Sequence, residues 1–209
     1  MKAALKLATL LIGTAAQADT ITVAGGCFWC TEADFEKVEG VSEAVSGFVG
    51  GNVENPTYEQ VVSGGTGHYE AVQIEFDPEV VDRRKLYDLF FRSIDPFDDG
   101  GQFCDRGDSY RTAIWVDNEA DRAAAEAAKT VAEQELARNI VTPILEDAEF
   151  YPADSYHQDY YKSEDRLAFS TVGIAVRKDT AYDRYRERCG RDARVREVWG
   201  DDAPFLPKS

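Results

Sequence analysis

The sequence predicts a single α+β domain. At 209 residues and 44% hydrophobic content, the chain can bury one sizeable core and is too apolar for wholesale disorder. Segments that alternate every second residue interleave with segments of helical spacing, but without the long strand–helix–strand regularity of a doubly wound parallel sheet. No repeat, low-complexity linker or composition shift marks an internal boundary. One domain over 19–209 is therefore expected, with a core at about 20–162 and a C-terminal tail over 163–209.

The first 18 residues have a targeting pattern. Lys2 and Lys6 make a basic start, Leu7 to Ala16 is mostly apolar, and Ala16-Gln17-Ala18 is a small-x-small site before Asp19. A signal peptide cleaved after Ala18 is expected, and the apolar run is too short for a comfortable membrane span. The mature protein is expected to be periplasmic or secreted. The formal charge of −16, more negative still without Lys2 and Lys6, argues against nucleic acid and anionic membrane as partners. In an oxidising compartment Cys27, Cys30, Cys104 and Cys189 become disulfide candidates.

From the N-terminus, Ile21 to Ala24 reads as the end of a strand, Gly25-Gly26 as a turn, and the segment through Val38 as a helix. Val41 to Val49 is a strand broken by Gly50-Gly51-Asn52. Thr57 can cap a short helix over Tyr58 to Val62. His68 to Phe76 is a strand stopped at Asp77-Pro78. Val81 to Arg92 is an amphipathic helix with Val81, Leu86, Leu89, Phe90 and Ile94 on its apolar stripe. Asp95 to Gly107 is a loop rich in Asp and Gly, and Arg111 to Val116 is a strand. Asn118, with Asp121 three residues on, can cap a solvated helix reaching Arg138. Phe150 to Tyr161 is aromatic and polar, and the segment from Tyr182 is charged and carries Cys189.

The chemistry concentrates in Cys27-Phe28-Trp29-Cys30. A cysteine at a helix N-terminus faces the positive end of the backbone dipole, which favours the nucleophilic thiolate. Phe28 and Trp29 can wall a small apolar pocket, and a thiol three residues on can close a disulfide. The same spacing is half of a zinc site, but neither Cys104 nor Cys189 belongs to a second close pair. A thioredoxin-like motif also fits the strand–turn–helix context, although such motifs usually carry Trp before the first Cys. On the strand ending at Phe76, Glu70 shares a face with Val72, Ile74 and Phe76. A carboxyl on an apolar face has its pKa raised by desolvation, as a general acid requires. A wet strand end or a cation partner would account for it equally well.

Beyond that segment the chain resembles the A-type peptide methionine sulfoxide reductases. Gly25-Gly26-Cys27-Phe28-Trp29 with Glu32 carries the resemblance first. Ser46 to Gly51, Asn55-Pro56-Thr57-Tyr58, Gly65 to Val72, Asp77-Pro78, Asp105 to Arg111 with Ala113-Ile114, Phe150 to Ala153 and His157 to Tyr160 follow in order. The resemblance implies a ferredoxin-like split βαβ sheet with helices on one face. It implies that Cys27 attacks the sulfur of a methionine sulfoxide, with preference for the S epimer, free or in proteins. By matching position, Glu70 protonates the sulfoxide oxygen with help from Tyr58 and Tyr110. Phe28 and Trp29 hold the substrate methyl, and Asp105 polarises the site. Cys27 becomes a sulfenic acid, a second thiol condenses with it to a disulfide, and a thioredoxin-like dithiol reduces that bond. No metal or organic cofactor is expected, and a monomer is.

The chain departs from the family where the second thiol is concerned. Position 30 is commonly Gly and is here Cys; the residue before Asp105 is commonly Asn and is here Cys104. A Gly-rich tail with recycling cysteines is absent. Cys30, nearest in sequence, is the first choice of resolving cysteine. Cys189 is second, since it reaches the site only if the tail folds back, and Cys104 is third. His157 is expected to tie the aromatic segment to the site. Two other readings remain open at this level: a disulfide-stabilised interaction module on the same fold, and a general thiol oxidoreductase that would not need Glu70.

Overall fold

The computed structural model of the protein describes residues 18–170 and 173–206, so the expected signal peptide, Ala18 apart, lies outside the described residues. In chain order the elements are β1 (Asp19–Gly25), α1 (Phe28–Phe35), β2 (Val41–Val49), α2 (Tyr58–Val62), β3 (Tyr69–Phe76), α3 (Arg83–Phe91), β4 (Gly101–Gln102), β5 (Asp105–Arg106), β6 (Thr112–Val116), α4 (Glu119–Leu136), β7 (Ile144–Glu146), β8 (Phe150–Pro152), β9 (Arg166–Ser170), β10 (Gly173–Arg177), α5 (Lys178–Cys189) and α6 (Arg191–Trp199). The main sheet has strand order β7-β6-β1-β3-β2-β8. Its inner four strands, β6-β1-β3-β2, are antiparallel to their neighbours, and β3 lies between β1 and β2. That is the split βαβ arrangement the resemblance implies. β7 adds in parallel beside β6, and β8 antiparallel beside β2.

Strand alternation puts the helices on one side. Ile21 and Val23 of β1 and Val72, Ile74 and Phe76 of β3 enter one core with Phe28 and Phe35 of α1, Leu86 and Phe90 of α3, and Ala125 and Ala128 of α4. The opposite face carries small residues, Ala24, Ala71 and Ala113, covered by Trp115, Tyr69, Leu145 and Phe150. α4, expected to be solvated scaffold, buries an alanine stripe against this core together with Asp121, which pairs with Arg83 at 2.7 Å. Among the described residues no helix is long and apolar enough to cross a membrane.

Local signals set most boundaries. Thr57 and Gln60 close a capping box: the Thr57 hydroxyl accepts from the Gln60 amide at 3.3 Å and the Gln60 side chain accepts from the Thr57 amide at 2.8 Å. α3 starts two residues later than its apolar stripe, because Asp82 accepts from the Lys85 amide at 2.7 Å and caps it there. Asn118 caps α4 through the Ala120 and Asp121 amides.

The loop over 95–107 is more ordered than expected, since β4 and β5 make a short hairpin inside it. Gln102 is buried and exchanges hydrogen bonds with the backbone of Asp95, both at 2.9 Å. The hairpin lies so close to the turn before α1 that a Cβ on Gly26, at φ +84°, would meet Gln102 Cβ at 2.5 Å.

The tail was expected to be only a charged segment; it folds into the β9–β10 hairpin and into α5 and α6, which return to α1. Arg186 pairs with the buried Asp34 of α1 at 2.9 Å. Arg191, 2% exposed, donates to the carbonyls of Gly25 (3.1 Å) and Ser93 (2.9 Å), lies 3.8 Å from Asp34, and stacks over Phe103. Removing Asp34 takes the shared carboxylate from two buried guanidinium groups, leaving Arg186 with Asp192 and Arg191 with two backbone carbonyls. Asp34→Ala is expected to lower unfolding free energy by about 3 kcal/mol in urea titration, and an unchanged midpoint would refute this role.

Candidate active site

The two glycines that end β1 deliver Cys27 to the N-cap of α1, where its carbonyl accepts from the amides of Cys30 (3.1 Å) and Thr31 (3.4 Å). The first amides of a helix have no partner within it. Here the Phe28 amide finds one across the fold, donating to Glu70 Oε2 on β3 at 3.1 Å. Glu70 opposes Phe48 of β2 in the sheet and is 1% exposed. Its parity with Val72 and Ile74 thus carries it to the helix side, under the start of α1.

Burial pushes the Glu70 carboxyl up to about 8, and the negative charge of Asp105 adds to the rise. The Phe28 amide and the nearby Tyr110 hydroxyl oppose it. Oε1 of Glu70 is buried and makes no hydrogen bond. At neutral pH this carboxyl carries a proton with little to hold it.

Cys27, Phe28, Trp29, Tyr58, Glu70, Asp105, Tyr110 and Tyr185 line one cavity of about 60 Å³. It has room for a few heavy atoms. All seven residues expected to contact or polarise the substrate are therefore brought together. Burial raises the pKa of both Tyr58 and Tyr110, so they remain hydroxyl donors.

The aromatic wall is held from behind. Tyr160 stacks on Trp29 at 3.8 Å with 9° between planes, and His157 packs on Tyr58 (4.4 Å) and Trp29 (5.7 Å). His157 thus does tie its segment to the site, by ring packing. Burial lowers its pKa, and its Nδ1 is without a hydrogen bond. Gln158 fixes the same segment to β2, accepting from the Ser46 amide at 2.9 Å and donating to its carbonyl at 2.8 Å. Glu32 of α1, raised by burial to about 7, accepts from the Ser46 hydroxyl and the Asp159 amide.

The cysteines fall into two pairs. Cys27 and Cys30 are free thiols, 7% and 2% exposed, in one buried cluster. Cys30 does not line the cavity; it lies behind Cys27 among Tyr160, Ala181 and Tyr182. The helix N-terminus was expected to favour a Cys27 thiolate. Instead burial, then Cys30, Glu70 and Asp105, push the Cys27 thiol well up. The Cys30 thiol is lowered, first by the hydrogen bond from Cys27 and then by Arg191 and Arg186. Of the two thiols, Cys30 is therefore the one whose surroundings favour the thiolate, on the side of the tail's arginines. Cys104 and Cys189 form a disulfide with Cα atoms 4.9 Å apart. The tail does fold back, but Cys189, second choice as resolving thiol, is bonded to Cys104 rather than free. That bond also removes the four-cysteine zinc arrangement.

Tyr185 is the lining residue missed in the sequence. It sits on α5, its ring edge-on to Trp29 at 6.3 Å, and its hydroxyl donates to Asp105. The spacing of Tyr182, Tyr185, Arg186 and Cys189 does place them on one helix face, but the high charge of α5 hid that face.

A family model for peptide methionine sulfoxide reductase matches residues 19–189, beyond the ordered motifs and as far as Cys189. The chain is 45% identical over 194 residues to peptide methionine sulfoxide reductase MsrA 2 of Rhizobium meliloti, covering 93% of this chain and 90% of that one. It is 45% identical over 181 residues to MsrA of Bacillus licheniformis, covering 86% and 92%. It is 42% identical to the Vibrio cholerae MsrA/MsrB protein, of which it spans 49%. Among solved structures it is similar to reduced Mxr1 of Saccharomyces cerevisiae (TM-score 0.65, 30% identity, 69% of this chain and 84% of that one). It is similar also to methionine sulfoxide reductase A of Corynebacterium diphtheriae (TM-score 0.62, 28% identity, 78% and 84%).

The raised carboxyl has a thermodynamic consequence. An acid whose pKa is higher folded than unfolded holds an extra proton in the native state between the two values. For Glu70 that window runs from its ordinary 4.5 to about 8. Its contribution to stability is full below the window and is lost as pH rises through it. Glu70→Gln is expected to flatten the fall in unfolding free energy between pH 5 and 8 by on the order of 3 kcal/mol. Urea titrations at several pH values check this; parallel curves for the two proteins would contradict it.

Proposed function

We propose the following cycle for this chain, which belongs to the peptide methionine sulfoxide reductase family and reduces methionine sulfoxide. Cys27 attacks the sulfoxide sulfur while Glu70 gives its proton to the oxygen, assisted by Tyr58 and Tyr110. Sulfoxide oxygen is a poor leaving group until it is protonated, so a neutral carboxyl beside the nucleophile is what the step requires. The observation that carries this reading is a buried, protonated Glu70 in one small cavity with Cys27 and two tyrosine hydroxyls. Phe28 and Trp29 enclose the substrate methyl. The S epimer is the proposed substrate, in proteins or free.

The oxygen passes to Cys27, leaving a thioether and a Cys27 sulfenic acid. Cys30 then condenses with it: a Cys27–Cys30 bond forms and the oxygen leaves as water. Contact between the two thiols, and the arginines that favour negative charge on Cys30, support Cys30 as resolving cysteine. An external thioredoxin-like dithiol restores both thiols and leaves as a disulfide. The basic, apolar and small-x-small parts of residues 1–18 support export, in which case the donor is a periplasmic or membrane-relayed protein.

Turnover is followed as methionine formed from a racemic sulfoxide with dithiothreitol, identifying the epimer left behind. Cys27→Ser is expected to abolish it, and Glu70→Gln to slow it about a hundredfold. In the wild type kcat/KM should decline above about pH 8 as Glu70 loses its proton. With a protein dithiol donor in place of dithiothreitol, whose small thiols can reduce a sulfenic acid directly, Cys30→Ser should release one methionine per enzyme and stall. A Cys27–Cys189 bridge after one equivalent of sulfoxide, or full turnover of Cys30→Ser, would sink the assignment of Cys30. N-terminal sequencing of the exported protein is expected to begin at Asp19.

A further inference from the structure

We propose that Tyr185 is a positioning residue of the reaction site and that the Cys104–Cys189 disulfide is a clasp that holds it against Asp105, outside the redox cycle. The inference rests on the sulfoxide reductase reading and extends it to the tail.

Asp105 reaches the cavity from β5, a two-residue strand that its own hairpin holds weakly. The support comes from α5. The Tyr185 hydroxyl donates to Asp105 Oδ2, and the disulfide sulfurs lie beside the carboxyl, Cys189 Sγ 3.7 Å from Oδ2 and Cys104 Sγ 3.9 Å from Oδ1. A disulfide sulfur has no hydrogen to donate, so the Tyr185 hydroxyl is the donor in this group. Cys104 immediately precedes Asp105, and Cys189 follows Tyr185 by one helical turn. One covalent bond therefore sets the distance between the carboxylate and its donor. Arg186, adjacent to Tyr185, fixes the same turn of α5 to α1 through Asp34. α5 thus meets the site with its hydroxyl in place.

The same geometry argues against the disulfide as the resolving pair. Cys27 shares a buried cluster with a free thiol, Cys30, while Cys104 and Cys189 are bonded to each other. The charges facing Asp105 set its role. Burial raises its pKa, whereas Tyr185 and Arg191 of α6 lower it. Across the cavity its charge raises the pKa values of Glu70, Cys27, Tyr58 and Tyr110. Tyr185 therefore acts on the proposed acid through Asp105.

The test is the rate of the first turnover, without added reductant, on protein isolated with two free thiols. Tyr185→Phe keeps the ring and removes the donor; it is expected to slow methionine formation about tenfold, with one methionine per enzyme and an unchanged melting temperature. Asp105→Ala should slow it at least as much, and the double variant no more than Asp105→Ala alone, since both changes act through one group. Cys104→Ser/Cys189→Ser should slow the first turnover as Tyr185→Phe does. Wild-type speed in Tyr185→Phe, or losses that multiply in the double variant, would overturn the positioning role. Wild-type speed of the first turnover in the double serine variant would overturn the clasp, and its arrest after one methionine with a protein dithiol donor present would make the pair a recycling couple. If wild-type protein forms no methionine, the reductase reading fails and this inference with it; methionine formation with an unaffected Tyr185→Phe refutes this inference alone.

Discussion

The hydrogen bond from the Phe28 amide to Glu70 holds the site together. It joins the first turn of α1 to the middle of the sheet at 3.1 Å, and it does so where both ends are dry. A helix start must give its orphan amides to something. Giving one of them to a carboxyl from β3 places Cys27, one residue earlier, over the same carboxyl. It also forces the carboxyl to be buried. The proposed nucleophile and acid are thereby fixed by a single contact, and the small cavity between them follows from it. The partial charge at the helix start would hold the carboxyl ionised were it exposed. Burial and the nearby Asp105 prevail, and Glu70 stays protonated to about pH 8.

The second constraint is electrostatic. Cys27, Cys30, Glu70 and Asp105 are four acids within one region, and ionising several of them together would be costly. The molecule separates them by surroundings. Arg186 and Arg191 approach from the tail on the side of Cys30 and help to lower the pKa of that thiol. Asp105 has a donor in Tyr185. Glu70 Oε1 has none. In the proposed acid the support for charge, the Phe28 amide on Oε2 and the nearby Tyr110 hydroxyl, does not offset burial.

These features also explain the tail. Its arginines are buried because Asp34 and the carbonyls at the end of β1 receive them, and burying unpaired guanidinium groups would otherwise be costly. α5 and α6 are therefore part of the domain, and the family match, which runs to Cys189, includes α5.

Strand alternation by itself determined the side of the sheet on which Glu70 lies, and capping residues determined where α2 and α4 begin, because those signals are local. The Gly25-Gly26 turn likewise announced the helix start at Cys27, and the ordered motifs named seven of the eight residues around the cavity. β7 and β8 went unseen, since three residues carry no period and each strand exists only through its neighbour. Tyr185 and the pairing of Cys104 with Cys189 depend on segments more than eighty residues apart, which no local pattern registers. The thiol pair shows the same limit: a helix N-terminus predicted a thiolate at Cys27, but the arginines that draw the charge to Cys30 arrive from the far end of the chain. Field and burial are properties of the assembled fold, so only the tertiary structure could decide which of the two thiols has its pKa lowered.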